Sequence, residues 1–150
     1  MPDPAKHSKS LVIDFITVRK LLEKVVDINQ PGFFRKLVIH TYDLFITPLN
    51  LMLYFIFKYF IPKPLNMSKS EMSHYLSHIK NQKVHILRII KTWVETRKLD
   101  FVRTNHLTTT LNDFLEIIHS IEKDLELKEL INDLSQAYHD LTNKIIQHKQ

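Results

Sequence analysis

Apolar residues recur along this chain at intervals of three and four. Between positions 17 and 28 they fall at Val18, Leu21, Leu22, Val25 and Val26, the spacing that lines up one face of a helix. Asn29-Gln30-Pro31-Gly32 then breaks the pattern with turn formers. A second helix is predicted from 33 to about 45, with Phe33, Phe34, Leu37, Val38, Thr41, Leu44 and Phe45 turned inward. A third is predicted from 48 to 60. Thr47 offers a hydroxyl cap and Pro48 a preset first helical residue, while Pro62 and Pro64 push the chain out of helical geometry at the far end. The short apolar run LVIDFI at 11–16 fits either a helix or an extended segment.

Residues 65–70 read as a polar loop in which Ser68 and Glu71 have the spacing of a capping box. Met72, Tyr75, Leu76 and Ile79 form a helical patch that Asn81-Gln82 interrupts. From 83 to 95 the pattern is clean, with Ile86, Leu87, Ile90, Trp93 and Val94 on one side and Lys83, Arg88 and Lys91 on another. Residues 97–105 read as a connector. Thr104 or Asn105 then caps a helix whose inner face is Leu107, Leu111, Phe114, Leu115 and Ile118. A last helix repeats at Leu127, Leu130, Ile131, Leu134, Tyr138, Leu141 and Ile145. The expected fold is all-α, a single helical bundle of about five to six helices. Its expected organisation is a partly disordered N-terminal segment at 1–16, a helical domain at 17–120, and a C-terminal helix at 121–150 packing on the bundle or extending from it. No repeat of about 34 residues is visible, which argues against a solenoid.

The segment from Leu49 to Phe60 is apolar all round, broken only by Asn50 and Lys58. A membrane-spanning helix needs about 20 mostly apolar residues, and a helix starting at Pro48 reaches Pro62 well short of that. A buried helix fits better. Leu49, Met52, Leu53, Ile56 and Phe60 form one stripe, and Leu51, Tyr54, Phe55, Lys58 and Tyr59 the opposite one. The pattern leaves open which of the two faces inward.

Composition narrows the chemistry. The chain has 150 residues, 44% hydrophobic and 25% charged, with one glycine and no cysteine. Walker loops, dinucleotide fingerprints and nucleophile elbows each need several glycines where backbone approaches a phosphate or turns sharply, so none can be built here. His74 and His78 are one helical turn apart, but H-Y-L-S-H lacks the glutamate of a zinc protease helix. With His85 they read as surface histidines, and neither a metal nor a cofactor is expected. The first ten residues lack the long apolar region of a secretory signal, so a cytoplasmic location is expected. The net charge of +5 is unevenly placed. Positions 58–103 carry ten bases against three acids, and positions 112–140 eight acids against two bases. Such blocks either attract each other across a bundle or orient a charged partner. The basic stretch 83–98 interleaves its charges with buried positions, which disfavours nucleic acid and leaves at most a peripheral membrane contact.

Three stretches together resemble a known module. FFRKLVIHTYDLFITPLNLMLYFIFKYFIPKP, then VHILRIIKTWVETRKLDF, then LTTTLNDFL are similar in order and spacing to the Ras exchanger motif. That motif is the N-terminal domain of guanine nucleotide exchange factors of the Cdc25 and Son-of-sevenless class. Thr41-Tyr42, Phe45, Thr47-Pro48, Pro62, Pro64, Trp93-Val94-Glu95 and Asp100-Phe101 carry the likeness, which covers roughly 17–115. Asp43 stands where the family has arginine, the usual glycine ahead of the first helix is missing, and 65–84 follows no family pattern.

The resemblance implies a non-catalytic helical bundle that packs against a Cdc25-type catalytic exchange domain, in cis or in trans, and stabilises it. Some members also contact a Ras-family GTPase, which would bring the protein to the membrane surface. Expected partner-binding residues are Leu51, Tyr54, Phe55, Lys58 and Tyr59 on the third helix, and Lys91, Trp93 and Arg97 on the later one. Trp93 also continues the Ile86–Ile90 stripe, which favours a core position. The alternative is a helical adaptor or dimerisation domain that pairs through its last helix.

Overall fold

A computed structural model describes residues 15–30, 32–62 and 64–149. Its regular structure is α1 (Phe15–Val26), α2 (Gly32–Thr41), α3 (Pro48–Tyr59), α4 (Lys69–Thr96), α5 (Lys98–Arg103), α6 (Asn105–Ile121) and α7 (Leu125–Lys149), with a 3-10 turn at Tyr42–Leu44. The fold is an all-α bundle. The segment 1–14, with most of LVIDFI, lies outside the described residues.

Two boundaries differ from the sequence pattern. Asn81-Gln82 does not interrupt anything: α4 runs through it for 28 residues. Neither residue is a helix breaker, and the flanking lysines are tied down on the α6–α7 side. Lys80 Nζ lies 3.1 Å from Asp124 and 3.2 Å from Glu126, and Lys83 Nζ lies 2.7 Å from Glu122. The expected connector at 97–105 instead forms the short helix α5, because Asp100 and Phe101 are drawn into the core.

The local signals at helix starts act as expected. Thr47 Oγ1 accepts the Asn50 amide at 3.3 Å ahead of Pro48. Ser68 and Glu71 form a reciprocal capping box, with Glu71 N–H donating to Ser68 Oγ at 3.2 Å and Ser68 N–H to Glu71 Oε2 at 3.4 Å. Thr104 occupies the cap position of α6 without a side-chain capping bond. Asp124 Oδ1 accepts the Leu127 amide at 3.1 Å at the start of α7; that bond first, then Lys80, holds the Asp124 carboxyl below the usual range.

Helix α4 is the spine. It packs against α1, α2, α3, α5 and α7, and α3 is wedged between α4 and α6. Trp93 sits at the crossing, fully buried, with ring edges of Tyr42, Phe55 and Phe101 at centroid distances of 5.1, 6.2 and 5.4 Å. The Asp100 carboxylate closes this cluster. Its Oδ2 accepts from the Tyr42 hydroxyl, from Trp93 Nε1 at 3.0 Å and from Arg97 Nε at 3.0 Å. Arg97 lies 4.6 Å over the Tyr42 ring, donates to the Ile39 and His40 carbonyls at 3.3 Å each, and grips Asp43 at 3.1 and 3.4 Å. Burial, then the Asp100 bond, pushes the Tyr42 phenol far above its ordinary range.

This anchor turns α2. Val38, Ile39 and Tyr42 are buried, whereas Phe33, Leu37 and Leu44, expected inward, are 69%, 53% and 77% exposed. The 3-10 turn changes the angular advance after Thr41, and fixing Tyr42 on Asp100 leaves those three side chains on the outer surface.

Asp100→Ala is expected to leave a buried cluster of donors unmet and to cost about 3 kcal/mol of stability. Tyr42→Phe, which removes a single donor, should cost about 1 kcal/mol. Chemical denaturation with tryptophan fluorescence measures both, and equal stability of Asp100→Ala and the wild type would refute the anchor role.

Candidate functional site: an apolar groove between α1 and α3

The apolar surround of α3 divides into two faces. Leu51, Met52, Phe55 and Tyr59 are fully buried. Phe55 meets Trp93, and Tyr59 meets Phe114 of α6 at 5.2 Å. The core face therefore takes most of one sequence stripe and Met52 from the other. On the opposite face Leu53 and Tyr54 are half-buried and Phe57 is 74% exposed. A groove of about 730 Å³ runs along this face, lined by Val18, Arg19 and Leu22 of α1, Phe45, Ile46 and Thr47 of the turn, and Asn50, Leu53, Tyr54 and Phe57 of α3.

The groove is mostly apolar, with a polar edge. Arg19 and Glu23 pair across one turn of α1 at 3.4 Å, both well exposed, so the pair adds little stability. The Tyr54 hydroxyl is buried without a hydrogen-bond partner among the described residues. Burial, with Glu23 adding and Arg19 opposing, pushes its phenol up to about 12. Lys58 Nζ lies 5.5 Å over the Tyr54 ring, a favourable cation–aromatic placement.

The expected partner residues separate accordingly. Leu51, Phe55, Tyr59 and Trp93 have no exposed surface, so they cannot meet a partner directly. Their side chains fill the space between α3, α4 and α6. Arg97 is engaged inside the molecule by Asp43 and Asp100, and Asp43 thus supplies an internal ion pair where the family carries arginine. Lys91 is half-exposed and pairs weakly with Glu95 at 3.7 Å. Tyr54 lies in the groove and Lys58 beside it. Phe57, which belongs to neither sequence stripe, is the groove's most exposed member. Its signal in the sequence is an aromatic opposite the core face of a helix that is apolar all round. Val18, Leu22, Phe45 and Ile46 carry no such signal, because they also fit a core pattern.

The charge blocks and histidines find places too. Acidic α7 lies along basic α4, and the Lys80 and Lys83 ion pairs bind the two blocks together. His74 and His78 are exposed, and no group of three potential ligands able to hold a metal occurs among the described residues. His85 is a correction to the surface reading, being 7% exposed. Its Nε2 lies 3.0 Å from the Val25 carbonyl and its Nδ1 3.4 Å from Arg35 Nη1. Burial holds its pKa below the ordinary 6.5, with Arg35 and Arg88 acting the same way and the Val25 bond and Asp27 opposing. None of the helices among the described residues is long and apolar enough to cross a membrane.

The family model for the RasGEF N-terminal motif matches residues 12–114. No curated protein matches the chain closely enough to count as a relative.

Phe57→Gln is expected to change stability by no more than about 0.5 kcal/mol, because the ring has no core to leave. Phe55→Ala, two residues earlier, should cost about 3–5 kcal/mol. Thermal unfolding of the two variants separates the faces of α3. His85 gives a pH dependence with a definite sign. Its folded pKa is depressed, so on acidification the unfolded chain takes up the proton first. The stability from neutral His85 is complete above the ordinary value of 6.5 and is lost as pH falls below it. His85→Gln should flatten that acid-side loss between about pH 7 and 5, and an unchanged slope in urea titrations would contradict it.

Proposed function

The chain belongs to the RasGEF N-terminal motif family, and on that premise we propose that it is a non-catalytic regulatory module of a Ras-family guanine nucleotide exchange factor. It docks through the α1–α3 groove onto a Cdc25-type catalytic exchange domain, in cis or in trans, and stabilises that domain's active arrangement. The observation that carries this reading is the groove itself. A soluble helix would ordinarily turn polar residues outward, yet α3 presents Leu53, Tyr54 and Phe57 on the face away from the core. An apolar surface of this kind marks an interface.

The mechanism follows from rigidity. Leu51, Phe55 and Tyr59 lock α3 against Trp93 and Phe114, so its outer face is already ordered before a partner arrives and little ordering cost remains. Direct contact with a small GTPase is a second element of the reading. Lys58 and Lys91, both partly accessible, are the basic groups left for it. A cytoplasmic location, at the membrane surface when the GTPase is there, goes with this role. Self-pairing through the last helix is less well supported, because Leu127, Ile131, Leu134 and Leu141 are already buried in the bundle.

Nucleotide release from a Ras-family GTPase loaded with a fluorescent nucleotide tests the proposal. The chain alone is expected to leave the rate unchanged, and to alter it when a Cdc25-type domain is present. Phe57→Glu should weaken binding to that domain at least about tenfold while the fold is kept. Release stimulated by the chain alone would end the non-catalytic reading. Undiminished binding of Phe57→Glu would end the groove's part in it.

A further inference from the structure

Away from the groove, a second cavity of about 280 Å³ opens between the end of α1, the start of α2 and the middle of α4. Asn81, His85 and Arg88 reach it at successive turns of α4, Arg35 from α2, and Ile28 and Gln30 from the turn between α1 and α2. Among the described residues no carboxylate lines it. Nor, among them, does Arg35 or Arg88 form an ion pair, whereas Arg19 and Arg97 both do.

The histidine explains how this arrangement is held. A backbone carbonyl only accepts and a guanidinium only donates. His85 must therefore donate from Nε2 to the Val25 carbonyl at 3.0 Å and accept on Nδ1 from Arg35 Nη1 at 3.4 Å. That fixes a neutral ring in a single tautomer. A buried uncharged side chain thus orients a guanidinium that has no anion of its own. Asp27, the acidic group whose charge reaches the ring, has Oδ1 engaged by the Asn29 amide at 2.9 Å.

We propose that this cavity binds a phosphate monoester, its dianion held by Arg35 and Arg88 with the Asn81 and Gln30 amides as neutral donors. Two planar guanidinium forks match the terminal oxygens of a tetrahedral dianion better than they match one carboxylate. The volume suits a small headgroup and falls below the ~300–1,000 Å³ typical of sites for larger ligands. Ile28, 42% exposed, offers an apolar contact to the carbon side of the ester. The phosphate belongs either to a soluble ester or to the headgroup of a lipid such as phosphatidic acid. The site is independent of the docking groove and of the exchange-factor reading.

The test titrates the whole isotope-labelled chain with glycerol 3-phosphate, with sodium chloride and acetate as controls, and follows the arginine Nε–H signals by NMR. A second arm measures co-sedimentation with phosphatidylcholine vesicles with and without phosphatidic acid. Saturable binding of glycerol 3-phosphate that moves the Arg35 and Arg88 signals is the expected result, and identifies a soluble source. Binding only to vesicles carrying phosphatidic acid also supports the site and identifies the lipid. In either arm Arg88→Gln, a change at an exposed position of α4, should weaken binding about tenfold or more. Arg35→Gln/Arg88→Gln should abolish it. Lys123→Gln/Lys128→Gln, which removes the same charge elsewhere, should leave binding unchanged. The proposal is overturned if neither probe binds, if chloride or acetate gives the same response, or if the double arginine variant still binds.

Discussion

The bundle turns on one carboxylate. Asp100 is mostly enclosed and takes hydrogen bonds from the Tyr42 hydroxyl, the Trp93 indole and the Arg97 guanidinium. These donors come from the turn after α2, the end of α4 and the link to α5. A buried carboxylate is tolerated only when its lone pairs are met, so these segments are fixed relative to one another as a condition of burying it. Arg97 extends the constraint outward to Asp43 and to the last carbonyls of α2. The angular position of α2, and the outward placement of Phe33, Leu37 and Leu44, follow from that anchoring rather than from the local hydrophobic pattern.

The same anchor sets the outer face of α3. Trp93, held by its indole N–H, provides the surface on which Phe55 packs, and Phe114 provides the one for Tyr59. With that side filled, Leu53, Tyr54 and Phe57 face the other way. Core packing and the groove are therefore two consequences of one helix orientation.

Electrostatics acts in two ways in this molecule. Along α4 and α7 the basic and acidic blocks meet, and Lys80 and Lys83 close onto the turn that starts α7. Part of the chain's charge asymmetry is absorbed there. At the α1–α2–α4 junction the opposite holds: Arg35 and Arg88 line one cavity, and among the described residues neither is in an ion pair. The first arrangement supports the fold, whereas the second gathers two cations in one cavity.

Much of this was readable in the amino-acid order. Helical periodicity, the Thr47-Pro48 and Ser68–Glu71 starts, the Pro62 stop and the inner faces of α6 and α7 are local properties, set by backbone sterics, capping bonds and spacing within a few residues. The order of the Tyr42, Trp93 and Asp100 motifs also marked the family. What distance along the chain conceals, only the folded state decided. Asn81-Gln82 looked like a break because its ion-paired neighbours find their acids some forty residues later. Leu51 and Phe57 are equally apolar in sequence, and packing against Trp93 and Phe114 alone made one core and the other surface. His85 and Arg35 are fifty residues apart, and no periodicity joins them, because a hydrogen bond between helices depends on how the helices meet.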